Sequence, residues 1–206
     1  MPKELTNNPK KQVQNQVQKQ VDLIHGSPMM VVIAIAGGGG QALGWLLGTP
    51  GASKTVLEAI VPYNEKAMED FIGYPPSTYV SRSTAIDMAQ CAFKKAMHLR
   101  KTHVPVIGLA CTTTIVTAVP KFGEHRCFVA VWDETGVTTY GVKLVGGSRD
   151  RGGEENVVSR IILHGLAHSC GVEQDVPLGL FDEERLDVRH MDHAAPLRRL
   201  IEAAQI

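Results

Sequence analysis

Met29-Met30-Val31-Val32-Ile33-Ala34-Ile35-Ala36-Gly37-Gly38-Gly39-Gly40 is the stretch whose reading decides the fold of this chain. Its apolar residues run without polar alternation, and Val31, Val32, Ile33 and Ile35 are β-branched. That pattern is a strand buried on both faces of a sheet. Four glycines follow, and residues 41–47 continue as a helix. A strand, a glycine turn and a helix start present backbone N–H groups outward, where they attract an anion.

Upstream, Val13, Val17, Val21 and Ile24 recur at helical spacing among Gln and Lys. They predict a narrow-striped amphipathic helix over 10–24, although the Gln-rich composition also suits a disordered segment. Residues 1–9 are expected to be disordered. Downstream, 56–61 reads as a strand or as a helix cut short by Pro62. Asn64 caps a short helix over 65–72 that Gly73 ends. Ser83 is expected to cap a helix over 84–101, with Ala85, Met88, Ala89, Ala92, Phe93, Ala96 and Met97 inward. Residues 104–111 form another continuous apolar strand that runs into Thr112-Thr113-Thr114. Residues 127–132 and 137–144 read as a hairpin around Asp133–Gly136. A charged, glycine-rich loop over 146–153 precedes a last core helix over 154–169. The order of elements predicts an α/β protein, a three-layer α/β/α sandwich with a mixed, mostly parallel sheet. One domain would span 10–172, followed by a charged extension over 173–206 with a short helix at 195–204.

The bulk numbers fit that class. Of the 206 residues, 44% are hydrophobic and 20% charged, and 21 basic residues balance 21 acidic ones. Zero net charge argues against nucleic acid or an anionic membrane as the main partner and favours self-association as a homo-oligomer. Cys91, Cys111, Cys127 and Cys170 lack C-x-x-C spacing and fall in apolar segments. They read as reduced core thiols of a cytoplasmic protein. From its polar N-terminus no signal sequence is expected, and no apolar run is long enough to span a bilayer.

Two motifs carry less than they promise. Gly48–Thr55 (GTPGASKT) departs from the P-loop pattern at Ser53. A P-loop also needs a strand before it and a helix after it, and here the order is the reverse. His164 and His168 stand four apart, as paired metal ligands do, but no acidic residue completes an H-E-x-x-H motif and the other histidines are scattered. Neither a metal nor a cofactor is expected. The glycine turn gains from its company instead. In a parallel α/β sheet, ligands bind at the C-terminal ends of the strands. Gly37, Gly38, Gly39 and Gly40, Tyr63 and Asn64, and Thr112, Thr113 and Thr114 would meet there. Gly amides and Thr hydroxyls suit a phosphate, Tyr63 suits a base, and Arg149 and Arg151 could close over an anion.

Residues 10–172 resemble the C-terminal domain of the CinA (competence/damage-inducible) proteins, the nicotinamide-nucleotide amidohydrolases. The family pattern is a strand ending A-E-S-C-T-G-G, a helix, V-P-G-A-S, a strand ending A-Y-S-N-E-A-K, and a later strand ending V-T-G. Here the matching residues are Ala34–Gly40, Thr49-Pro50-Gly51-Ala52-Ser53, Pro62–Met68 and Cys111-Thr112-Thr113. The intervals agree without gaps from Ala34 to Gly73. The chain is also similar to the CinA-like region that some plant proteins carry ahead of a nucleotidyltransferase-like domain, with 173–206 in the place of their linker.

The resemblance implies deamidation of nicotinamide mononucleotide by a serine nucleophile, a lysine base and a neighbouring tyrosine. Ala36 occupies the serine's position and Met68 the lysine's, so only Tyr63 remains. Lys66 is no substitute, because two residues along a helix place it roughly 200° around the axis from position 68. The sequence therefore leaves three readings. One is a catalytically degenerate domain that binds a nicotinamide-type or other mononucleotide. Another is an amidohydrolase with a rewired nucleophile, such as Thr112, Thr113, Ser53 or Cys111. The last is an interaction domain without a ligand.

Overall fold

The computed structural model describes residues 9–194 other than 102, 119–122 and 175. Of the segment expected to be disordered, 1–9, residues 1–8 lie outside the described residues, as does the helix expected at 195–204, whereas Pro9 opens the first helix. Helix α1 (Pro9–Gly26) leads into strand β1 (Met30–Ala36), helix α2 (Gly40–Gly48) and strand β2 (Val56–Ile60). Helices α3 (Glu65–Ile72) and α4 (Arg82–Leu99) then precede β3 (Val106–Thr114), β4 (His125–Trp132), β5 (Gly136–Leu144), α5 (Arg151–Ser169) and β6 (Asp187–Asp192). The six strands form one mixed sheet in the order β2-β1-β3-β4-β5-β6. β1, β2 and β3 are parallel, and β4, β5 and β6 each pair antiparallel with the strand before.

The unbroken apolar run of β1 has its cause in this layering. Val31, Ile33 and Ile35 point to one face, where they join Val17, Val21 and Ile24 of α1, Leu46 of α2, and Val158, Ile161 and Ile162 of α5. Ala34 and Ala36 point to the other face and pack with Met68 and Ile72 of α3 and Ala85, Met88 and Ala89 of α4. Both faces are dry, so neither set of positions is polar. The stripe of α1 is buried by this docking, so the segment 10–24 is helical. Its buried Gln20 donates from Nε2 to the Gln174 carbonyl at 2.7 Å, and buried His25 bridges Thr55 Oγ1 at 2.9 Å and the Leu46 carbonyl at 3.0 Å. The segment 56–61 resolves as a strand, since Val31–Ala34 of β1 supplies its parallel partner.

Three boundaries differ from the sequence reading. Helix α4 starts at Arg82, because Ser81 Oγ accepts the Thr84 N–H at 3.1 Å; Ser83 lies inside the first turn. Helix α5 starts at Arg151, because Asp150 accepts the Gly153 N–H at 2.7 Å, which shortens the loop expected over 146–153. Beyond α5, the charged segment contributes β6 to the sheet edge, and Val176 and Glu184 are buried. The sequence of β6, Asp-Val-Arg-His-Met-Asp, shows no apolar face because an edge strand exposed on both sides requires none. Among the described residues, no helix is long and apolar enough to cross a membrane.

Candidate functional site

The parallel strands β1, β2 and β3 end along one edge of the sheet, and the segments that follow them form its rim. Gly37 leaves β1 with φ +89°, in the left-handed region. A Cβ built on it would fall 2.0 Å from the Thr113 carbonyl oxygen, so only glycine passes here. Gly39 is the left-handed N-cap of α2. The turn therefore aims the first amides of α2 at the cleft, as a strand–glycine–helix pattern requires.

Those amides are already occupied. Glu155 of α5 accepts the Gly39 N–H at 2.9 Å through Oε2 and the Gln41 N–H at 3.1 Å through Oε1. Its carboxylate sits where the helix dipole favours a negative charge. The sequence reading did not single out Glu155, since nothing within α5 indicates that a residue 114 positions away needs an acceptor. Its neighbour Glu154 is fully buried and ties down the segment after β3, accepting the Val116 N–H at 2.7 Å and meeting His125 Nδ1 at 2.6 Å.

Two hollows adjoin at Tyr63, which is 64% exposed. The larger, about 480 Å³, lies between the glycine turn, Leu43, Val61 and the start of α5, with Arg151 and Glu155 in its wall. Arg151 donates to the Val116 carbonyl at 2.6 Å and, more weakly, to the Gly37 carbonyl and the Tyr63 hydroxyl, each at 3.4 Å. The smaller, about 100 Å³, is lined by Ala36, Gly37, Tyr63, Met68 and Thr112 among others. Ala36 and Met68 are each 4% exposed and belong to one apolar cluster. Around them, Thr112 Oγ1 donates to the Tyr79 carbonyl at 2.7 Å and Thr113 Oγ1 to the Arg126 carbonyl at 2.8 Å. Asn64 spends its side-chain oxygen on the Ala67 N–H as the cap of α3. The hydrogen bond to Glu69, helped by burial, pushes the Tyr79 hydroxyl up to about 12, so that phenol is neutral near pH 7. Lys66 points to solvent and pairs with Asp70 at 2.5 Å.

The fold thus gathers Gly37–Gly40, Tyr63, Asn64, Thr112, Thr113 and Arg151 at one edge. Thr114 ends β3 opposite Arg126 and lines neither hollow. Arg149 is held elsewhere. It forms a two-pronged pair with Glu184 at 2.6 and 2.7 Å, donates to the Gly179 carbonyl at 2.7 Å, and stacks 3.7 Å from the Phe181 ring centroid. Glu184, 35 residues away, removes Arg149 from any anion in the cleft.

The other candidate groups lie apart from the cleft. Ser53 precedes β2, at the opposite end of the sheet, and the P-loop look-alike sits between α2 and β2. Cys111 is fully buried 3.8 Å from Cys127 Sγ, and that hydrogen bond together with burial pushes its thiol well up, away from the nucleophilic thiolate. His164 and His168 both meet Tyr140, edge to face at 5.6 Å and by a 3.2 Å hydrogen bond. Among the described residues, no three His, Cys, Asp or Glu side chains come together as metal ligands.

The Arg149–Glu184 pair yields a stability prediction. Burial alone would raise the Glu184 carboxyl. The Arg149 guanidinium and the Val145 and Phe181 amides outweigh it and hold the group below its ordinary value of 4.5. A carboxyl lowered by folding adds stability above its unfolded value and loses it as pH falls through the lowered one. This part of the stability is therefore present above about pH 4.5 and disappears in more acid solution. The Arg149→Ala variant strands a buried carboxylate, which costs about 3–5 kcal/mol. Its melting temperature at pH 7 should fall by roughly 6–20 °C. A fall within a degree or two would show that the pair contributes little.

The chain is an α/β protein of the three-layer α/β/α class, with a glycine turn, an exposed tyrosine and an arginine at the ends of its parallel strands. Within that class, the chain has the fold of the CinA superfamily, the competence/damage-inducible proteins. It matches a CinA superfamily protein from Klebsiella pneumoniae 700603 with a TM-score of 0.56 at 14% identity, over 80% of this chain and 99% of that one. It matches another from Enterobacter cloacae with a TM-score of 0.51 at 18% identity, over 75% and 89%. The competence/damage-inducible protein CihA of Agrobacterium tumefaciens matches with a TM-score of 0.50 at 20% identity, over 76% and 92%. No family model and no curated protein sequence matches the chain.

Proposed function

We propose that this chain is a CinA-fold domain that binds a nicotinamide-type or other mononucleotide at the strand ends of β1, β2 and β3 without deamidating it. The observation that carries this reading is the pairing of Ala36 with Met68. Their side chains share one apolar cluster and line one small hollow beside Tyr63. In the family that residues 34–73 resemble, these are the positions of the nucleophile and its base. Alanine has no lone pair to attack a carboxamide, and a thioether takes no proton near pH 7. Thr112 and Thr113 are no ready replacements, because each hydroxyl donates to a backbone carbonyl.

The larger hollow keeps what a mononucleotide needs. Its volume of about 480 Å³ falls within the roughly 300–1,000 Å³ of small-molecule sites. Tyr63 offers an aromatic face, and Arg151 brings a guanidinium to the mouth. Titration calorimetry of the purified chain with nicotinamide mononucleotide should show saturable heat, while an ammonia assay on the same mixture stays at background. Absence of heat with any pyridine mononucleotide overturns the binding claim, and steady ammonia release overturns the claim of lost catalysis.

A further inference from the structure

A basic hollow of about 290 Å³ opens over β4 and β5 on the α4 face of the sheet. Arg82, Arg126, Lys143 and Arg185 line it, against only the carboxylates of Glu124 and Asp187. The chain as a whole balances its charges, so this surplus of two cations is a local concentration. Arg82 donates to Asp187 Oδ2 at 2.8 Å and to Thr139 Oγ1, and Lys143 pairs with Glu124. The guanidinium groups of Arg126 and Arg185 make no hydrogen bond or ion pair with another described residue.

The register sharpens the point. Arg126 and Lys143 stand directly opposite each other on β4 and β5, where like charges oppose strand pairing. Phe128 and Gly141 are opposed in the next row of the same face and form the floor. The Arg82 guanidinium lies 5.7 Å from the Phe128 ring centroid. A Cβ at position 141 would come within 2.5 Å of Arg82 Nη2, so glycine leaves the room that lets this arginine reach across the sheet. Cations, an aromatic floor and two unused guanidinium forks together make a receptor for a tetrahedral oxyanion.

We propose that this hollow is an anion subsite that receives the phosphoryl group of a small phosphorylated ligand. Its size suits one such group and an attached fragment. The flanking Glu124 and Asp187 carboxylates would repel the extended phosphate backbone of a nucleic acid. The hollow shares no lining residue with the two at Tyr63, because the chain at 79–82 divides them, with Tyr79 and Val80 on one side and Arg82 on the other. The subsite therefore stands whether or not the strand-end cleft binds a nucleotide.

The test is amide NMR of the whole chain titrated with inorganic phosphate, with sodium chloride at matched ionic strength as control. Saturable shifts are expected at 126–128 and 141–143, weakening as salt is raised. The paired substitution Arg126→Gln with Arg185→Gln, at side chains with no hydrogen-bond or ion-pair partner among the described residues, should weaken them by roughly tenfold or more. A parallel titration with pyrophosphate and with nicotinamide mononucleotide distinguishes free phosphate from a nucleotide as the source of the group. No saturable shift, shifts confined to 37–41, or equal shifts in the double variant each overturn the proposal. Tight binding of an oligonucleotide by a chain that ignores phosphate and pyrophosphate overturns it as well.

Discussion

The double variant Ala36→Ser with Met68→Lys is expected to release ammonia from nicotinamide mononucleotide, where the native chain and either single variant release none. Ala36 closes β1 and Met68 lies in α3, and both border the same hollow of about 100 Å³. A serine at position 36 adds one hydroxyl to a wall that already faces the cavity. A lysine at position 68 enters a site where the native side chain is 4% exposed. Desolvation there favours the neutral amine and lowers its pKa toward the range a general base needs. Each change alone leaves half a mechanism. In serine hydrolases the loss of nucleophile or base costs on the order of a million-fold in kcat, so recovering both has the largest effect open to this site. Calorimetric heat without ammonia from a folded double variant would mean that these two positions are not the reacting pair.

Replacing Glu155 with Gln should tighten binding of a phosphate-bearing ligand by about tenfold or more. The carboxylate now satisfies the Gly39 and Gln41 amides, so an incoming phosphate must displace it and meets its charge. The amide of Gln keeps one acceptor and loses the negative charge. A charge-assisted hydrogen bond contributes about 1.5–3 kcal/mol, and 1.4 kcal/mol is a factor of ten. Stability should move the other way, by about 0.5–2 kcal/mol, as it does when a helix N-terminus loses its acceptor. Calorimetry and thermal melting on the same samples read both effects. Unchanged or weaker binding of nicotinamide mononucleotide would show that Glu155 is a permanent cap for α2 and that the phosphate goes elsewhere.

Much of the fold is legible in the chain because its signals are local. The continuous apolar runs of β1 and β3, the hairpin of β4 and β5 around Asp133–Gly136, and the Asn64 cap of α3 each depend on residues close in sequence. The start of α4 moved by two residues because Ser81 supplies the cap in place of Ser83, and that of α5 by three because Asp150 caps it. The edge strand β6 was hidden because it needs only backbone pairing with β5 and carries charges on both faces.

The candidate site divides in the same way. The sequence by itself determined the buried strand and the glycine turn after it, since these depend on residue identity and spacing. Only the tertiary structure decided what fills the turn and which arginine lies beside it. Glu155 reaches the α2 amides from α5, Glu184 binds Arg149, and Arg151 remains at the cleft. Carboxylates find their partners through space once α5 and the segment after it dock. Pairings across 35 and 116 positions leave no trace in the order of residues.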